Sequence, residues 1–205
     1  MSSEIHVFIQ ARMSSRRFPG KVLAPFRGQP LIWHVIDRVA TALPELPVLV
    51  LTSTDASDDP LAAYLAYLGT RCFRGPLDDV VARFQLAARE HAARWLLRIC
   101  ADSPLLDDRV LRAVTAAHDP ALDLVTTTAP RTFPKGHNAE LINAASLAAL
   151  DPGELDDADR EHLTRFFHRH PERFRIKNVE SGDPALASLE LAVDTVEDLQ
   201  RLEAG

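Results

Sequence analysis

Short runs of Val, Ile and Leu alternate along the chain with longer stretches whose apolar residues return every three or four positions. The runs Ile5 to Ile9, Pro47 to Leu51, Trp95 to Cys100 and Leu122 to Thr127 are brief and mostly apolar, as strands buried on both faces should be. From Pro30 onward, Leu31, Val35, Ile36 and Val39 fall on one helical face. Asp59-Pro60 opens a second helix that runs through Tyr67 and stops before Gly69. Leu77 to Ala92 and Asp107 to His118 predict a third and a fourth. Strands alternating with helices of this length predict an α/β fold with a mostly parallel sheet and right-handed crossovers. In such sheets ligands bind at the carboxyl ends of the strands, so the loops that follow strands are the places to look for chemistry.

After about residue 128 the rhythm changes. Arg131-Thr132-Phe133-Pro134-Lys135-Gly136 reads as a turn, and Ala139 to Ile142 as a short strand before another helix. A helix over Asp159 to His170, strands near Phe174 to Val179 and Ser188 to Val193, and a last helix from Val196 complete the expectation. Thr195-Val196-Glu197-Asp198 has the form of a capping box for that last helix. Asp107 likewise reads as a cap.

Composition narrows the class. The chain has 205 residues, 46% apolar and 25% charged, enough for one domain with a sizeable core. A net charge of -6 argues against a nucleic-acid partner, which would call for excess Lys and Arg. No run approaches the roughly 20 apolar residues of a membrane span, and Met1-Ser2-Ser3-Glu4 lacks signal-peptide character. A cytoplasmic protein without membrane contact is expected. Cys72 and Cys100, in strand-like runs and in no CxxC pair, read as reduced core residues. Eight histidines invite a zinc reading, but His168 and His170 are two apart on a predicted helix and point in different directions.

The first strand leads directly into Gln10-Ala11-Arg12-Met13-Ser14-Ser15-Arg16-Arg17-Phe18-Pro19-Gly20-Lys21. Three arginines, a lysine, two serines and a glycine in twelve positions make a triphosphate cradle by composition. Gly20 admits close backbone approach, hydroxyls and amides donate to phosphate oxygens, and Arg and Lys neutralise charge. It is not a Walker A loop, because Val22 follows Lys21 and no glycine stands five residues before Gly20. A solvated basic loop is the plainer alternative.

The stretch IQARMSSRRFPGKVL resembles the signature loop of the cytidylyltransferases that activate sugar acids, above all the spore coat polysaccharide biosynthesis SpsF-like branch. FRGPLDDVVARF (Phe73 to Phe84), ADSPLLD (Ala101 to Asp107), PRTFPKG (Pro130 to Gly136), REHLTRF, RFRIKNVE and LAVDTVEDL resemble further blocks of that branch, in order. The resemblance implies a Rossmann-like three-layer α/β/α nucleotidyltransferase fold, similar to that of GT-A enzymes, with a mixed, mostly parallel sheet. It divides the single domain 1–205 into a nucleotide-binding half (1–128), a small acceptor-side or dimerisation insertion (129–187), and a returning strand and helix (188–205).

The activity implied is transfer of CMP from CTP to a small anionic acceptor, with Mg²⁺ held by Asp102 and Asp194. Both aspartates follow apolar strands, and Mg²⁺ typically takes one or two carboxylates plus phosphates and water. Arg12 and Lys21 are the candidates for stabilising charge during catalysis, with Gln10, Ala11, Ser15, Arg17, Gly20 and Asp102 also on the nucleotide. Ser53, Arg74, Gly75 and Arg83 are carried over as base-side contacts. Acceptor binding is expected from Arg131, Lys135, Asn138 and Glu140 in the insertion, and from Arg160, Glu161 and His162 in the following helix. An ordinary charged surface is the bland reading of those seven. Homodimerisation is common in the family and is the expected assembly.

Three departures from the branch stand out. Arg16 replaces an uncharged residue, Gly136-His137-Asn138-Ala139-Glu140 replaces a Gly-Leu-Asp-Val-Glu run, and Glu190 stands at a usually basic position. Arg16, joining the acceptor set, and Asn138 together make the site more favourable to a strongly anionic acceptor, a phosphonate as well as a sugar acid. Two other functions are compatible with a nucleotide-binding sheet. A nucleotide-sugar glycosyltransferase would carry a DxD motif, which Asp102-Ser103-Pro104 is not. A non-catalytic regulatory homologue would lack the metal aspartates or Lys21, which are present.

Overall fold

Val7 and Ile9 are fully buried, and so is Phe8 between them. Their strand, β1 (Ile5–Gln10), therefore needs cover on both faces, and in the computed structural model, which describes residues 4–204, it lies in the middle of a seven-stranded sheet. In chain order there follow a hairpin of β2 (Pro25–Phe26) and β3 (Gln29–Pro30), α1 (Leu31–Ala42), β4 (Val48–Ser53) and α2 (Asp59–Tyr67). Next come β5 (Cys72–Gly75), α3 (Val80–Glu90), β6 (Trp95–Cys100) and α4 (Asp108–Ala116). The second half adds β7 (Leu124–Thr126), β8 (Glu140–Asn143), α5 (Ala144–Ala148), α6 (Asp157–Glu161), α7 (Arg165–Arg169), β9 (Ile176–Asn178) and α8 (Val196–Ala204).

The sheet order is β5-β4-β1-β6-β8-β7-β9, and β8 alone runs against its neighbours. Val7, Ile9, Val50, Leu97 and Ile99 pack under α1, α2 and α4. Phe8, Leu49, Leu51, Leu96 and Ile142 pack under α3, α5 and α7. The result is the three-layer α/β/α arrangement expected, with its switch point between β1 and β6.

Several elements differ from expectation. The third helix starts only at Val80, because the Asp79 carboxylate caps it by accepting from the Ala82 amide at 2.7 Å. The helix expected over Asp159 to His170 is two short ones: Asp156 and Asp159 form a capping box that starts α6 early, and the chain leaves helical geometry at His162. Ser188 to Val193 does not form a strand. Its backbone bonds go to the turn and to a strand end: Lys135 N donates to Leu189 O at 2.9 Å, Leu191 N to Lys135 O at 2.7 Å, and Val193 N to Asp102 O at 2.8 Å. Gly136 makes that crossing possible, since at φ 101° an added Cβ would lie 2.6 Å from the Leu191 carbonyl carbon. The segment 129–187 supplies β8 and β9 to the sheet itself. Cys72 and Cys100 are both half-buried and not fully in the core.

Candidate active site

At the carboxyl end of β1 the chain turns outward and closes on itself, with the Gly20 amide donating to Met13 O at 2.8 Å. Gly20 sits at φ 76°, in the left-handed region that glycine tolerates best. That turn delivers Lys21 into the gap between β1 and β6. Its Nζ lies 3.1 Å from Asp102 Oδ2 and 3.4 Å from Asp194 Oδ1, and donates to Val193 O at 2.8 Å. Asp102 stands just beyond β6. Asp194 arrives on the segment that Gly136 lets pass, just before α8. Arg17 and Lys135 also reach Asp194, each at 2.9 Å. The side chains of Lys21 and Asp194 are only 11% and 13% exposed, so water screens this knot less than it screens a surface pair. Burial alone would raise the pKa of Asp194, but Lys135, Lys21 and Arg17 outweigh it and hold the carboxyl below its usual range.

A second support lies beneath the loop. Asp58 is wholly buried, accepts from the Met13 amide at 2.6 Å and the Ser53 amide at 2.9 Å, and also takes the Ser53 hydroxyl. Burial pushes its pKa up, yet the bonds from Met13 and Ser53 prevail and the carboxyl is held low. The outer side of the loop is tied down by Arg12, whose guanidinium donates to Glu161 Oε1 at 2.8 Å.

The cleft around Lys21 has a volume of about 320 Å³ and shares Arg98, Cys100 and His162 with an adjoining cavity of about 350 Å³. Arg98 comes from the middle of β6 and Glu140 from the start of the antiparallel β8, which brings them face to face at 2.5 Å. Gln10 Oε1 accepts from Arg98 Nε at 3.0 Å and Thr164 donates to Glu140 at 2.7 Å. Burial opposes ionisation of Glu140, but Arg98, then His168 and Thr164, bring its pKa down to about 2. Burial carries the Cys100 thiol up to about 11, which favours its neutral form at neutral pH. A larger cavity of about 1000 Å³ opens at the opposite end of the strands, beside Trp95 and a series of alanines. It gathers no comparable set of charged groups.

The expected nucleotide set is thus split. Gln10, Ala11, Arg12, Ser15, Arg17, Lys21 and Asp102 line the cleft together with Asp194, and Gly20 shapes its loop. Ser53, Arg74, Gly75 and Arg83 do not line it. Ser53 is buried against Asp58. Arg74 donates to Ser53 O and to Asp59, both at 2.7 Å. Fully buried Arg83 donates to the carbonyls of Pro76 and Leu77 at 2.9 and 2.8 Å. Gly75 meets Arg83, and a Cβ there would come within 2.8 Å of it.

The acceptor set is split as well. Arg131, Asn138, Glu140 and His162 line the second cavity, although the Glu140 carboxylate is taken by Arg98. Lys135 is drawn to Asp194 and Glu190, Arg160 to Asp79, Glu161 to Arg12, and Arg16 lies exposed on the rim of the Lys21 cleft. Sequence reasoning missed Asp58 and Arg98. An arginine interrupting the apolar run of β6 was the available signal for Arg98; buried Asp58 gave none. His168 and His170 do diverge, and among the described residues no three His, Cys, Asp or Glu side chains gather as a metal site. Nor is any helix among them long and apolar enough to cross a membrane.

Residues 6–203 match a family model described as cytidylyltransferase. The chain is 30% identical to the spore coat polysaccharide biosynthesis protein SpsF of Bacillus subtilis (strain 168), covering 98% of this chain and 86% of that protein. It superposes on a cytidylyltransferase from Leptospira borgpetersenii serovar Hardjo-bovis with a TM-score of 0.92 and 26% identity, over 98% of this chain and 85% of that one. A CMP:2-keto-3-deoxy-manno-octonic acid synthetase complexed with CTP shares the fold, with a TM-score of 0.72, 19% identity and 98% of each chain covered.

Proposed function

Because the chain belongs to the cytidylyltransferase family, a family of nucleotidyltransferases, we propose that it transfers CMP from CTP to an oxygen of a small anionic acceptor, a sugar acid or a phosphonate, releasing pyrophosphate. The observation that carries the reading is the convergence of Lys21, Asp102 and Asp194 at the switch point of the sheet, beside a loop rich in arginine. The acceptor oxygen attacks the α-phosphorus as the bond to the pyrophosphate oxygen breaks in line. Such a step asks the protein for positioning and charge neutralisation, with no covalent intermediate.

Lys21 and Arg12 face the phosphates and offset their growing charge, with Arg17 and Ser15 in support. Asp102 and Asp194 suit Mg²⁺: both are hard oxygen donors, and the Lys21 ammonium held between them marks the point where this pair accommodates positive charge. Mg²⁺, if held by these two carboxylates, would add charge neutralisation at the triphosphate. The cavity beyond Arg98 and His162 then receives the acceptor.

The test is pyrophosphate release from each of the four nucleoside triphosphates, with Mg²⁺ and a panel of sugar acids and phosphonates. Release with CTP alone, dependent on acceptor and abolished in Asp102→Ala, is the expected result. Equal release from all four nucleotides, or full activity in Asp102→Ala, would overturn the reading.

A further inference from the structure

The cations that line the acceptor-side cavity differ in one respect, which is whether a carboxylate faces them. Arg98 is matched by Glu140, and Arg165 by Asp156 and Asp159 at 2.8 and 2.6 Å. Arg131 meets no carboxylate among the described residues. Its Nη1 donates instead to Asn138 Oδ1 at 2.6 Å, a neutral amide that orients the guanidinium without cancelling its charge. The one carboxylate lining the same cavity, Glu140, is spent on Arg98 and Thr164, while His162 and Thr128 add no negative charge. A half-buried guanidinium held in one orientation with its charge uncompensated is a receptor for a planar or tetrahedral anion. The cavity volume, about 350 Å³, is in the range of small-molecule sites, and its shared walls open into the Lys21 cleft.

We infer that Arg131, oriented by Asn138, selects the acceptor by charge: it binds a carboxylate or phosphonate group of the acceptor that is separate from the attacking oxygen. The neutrality of Asn138 keeps that charge available. Naming this ligand as the acceptor rests on the proposed cytidylyl transfer; the anion site itself does not.

Asn138→Asp is the decisive substitution, since it preserves shape and the hydrogen bond to Arg131 while cancelling the charge. A purely structural Arg131–Asn138 contact would only be strengthened by it. The experiment titrates the full chain, saturated with CTP and free of divalent metal, with two probes in a calorimeter: a ulosonic acid and phosphonoacetate. At least one probe is expected to bind, and Asn138→Asp and Arg131→Gln to weaken it by about tenfold or more with CTP affinity unchanged. The methyl ester of the ulosonic acid should bind all three proteins alike. Which probe binds distinguishes a carboxylate from a phosphonate acceptor. Unchanged probe affinity in Asn138→Asp, at an undiminished melting temperature, overturns the inference, as does failure of both probes to bind the unsubstituted protein. Pyrophosphate release is read separately: its absence alongside a retained Asn138→Asp effect would refute the transfer reading and keep the anion site.

Discussion

Asp58→Ala tests how the loop after β1, the proposed phosphate cradle, is held. The carboxylate is wholly buried and satisfies three donors: the amides of Met13 and Ser53, and the Ser53 hydroxyl. The hydroxyl can rotate toward another acceptor, but the two amides are fixed by the backbone. Each buried donor left unpaired costs about 1–3 kcal/mol, and a water entering the vacated space recovers part of that. The expected loss is therefore about 3 kcal/mol, against a total stability of about 5–15 kcal/mol for an ordinary domain, so the variant stays folded. Because the Met13 amide lies between Arg12 and Ser14, freeing it loosens the loop itself, and KM for CTP should rise by about tenfold while the acceptor KM holds. Urea unfolding at constant m-value measures the first effect and initial rates the second. A stability loss below about 1 kcal/mol, or a full loss with unchanged KM for CTP, would refute the argument. Since the folded pKa of Asp58 is depressed, its contribution is present above the ordinary carboxylate pKa near 4 and disappears as pH falls through the folded value.

Three other substitutions or treatments probe the remaining contacts. Lys21→Met should lower kcat by about a hundredfold or more, as read by pyrophosphate release, because the proposed phosphate-neutralising group is gone; thermal melting should show a smaller stability loss than for Glu140→Gln, since Arg17 and Lys135 still pair Asp194. Glu140→Gln leaves Arg98 buried without its counter-charge and should cost about 3–5 kcal/mol in urea unfolding; with the Glu140 pKa at about 2, the pair's contribution in the native protein persists down to mildly acidic pH and falls away only between about pH 4 and 2. The Cys100 thiol, at about 11, should resist iodoacetamide at pH 8 in the folded protein and react once it is unfolded, which peptide mapping resolves.

The parts of this site legible in the sequence are those fixed by position along a strand. A loop directly after a buried strand, and aspartates just past other apolar runs, must arrive at one edge of a parallel sheet whatever the intervening details. That logic placed Arg12, Lys21 and Asp102 within one cleft, whereas Asp194 joins them although the strand expected before it does not form, on the segment that Gly136 lets pass. It could not decide which charged neighbours would be spent on each other. Arg160 and Glu161 look as available as Arg131 in the sequence, yet in α6, which opens on the capping box at Asp156, they meet Asp79 and Arg12. Asp58, adjacent to Asp59-Pro60, reads as one more helix-opening acid, and only the tertiary approach of the Met13 amide makes it a support. The segment Ser188 to Val193 has a strand's composition, but its pairing partners are a turn and a strand end, which local pattern does not reveal.

The reversed direction of β8 has a consequence for how such a protein diversifies. Its first residue stands at the edge where its neighbours finish, so the segment leading into it, residues 127–139, reaches the cavity beside Arg98 and Arg131 from outside the β1 loop. Insertions or exchanges there remodel one wall and leave the β1 loop and Asp102 in place. A lineage can thus retool what it decorates while inheriting its nucleotide machinery intact, and comparison of such lineages should find length variation concentrated before β8 and the spacing from β1 to Lys21 held constant.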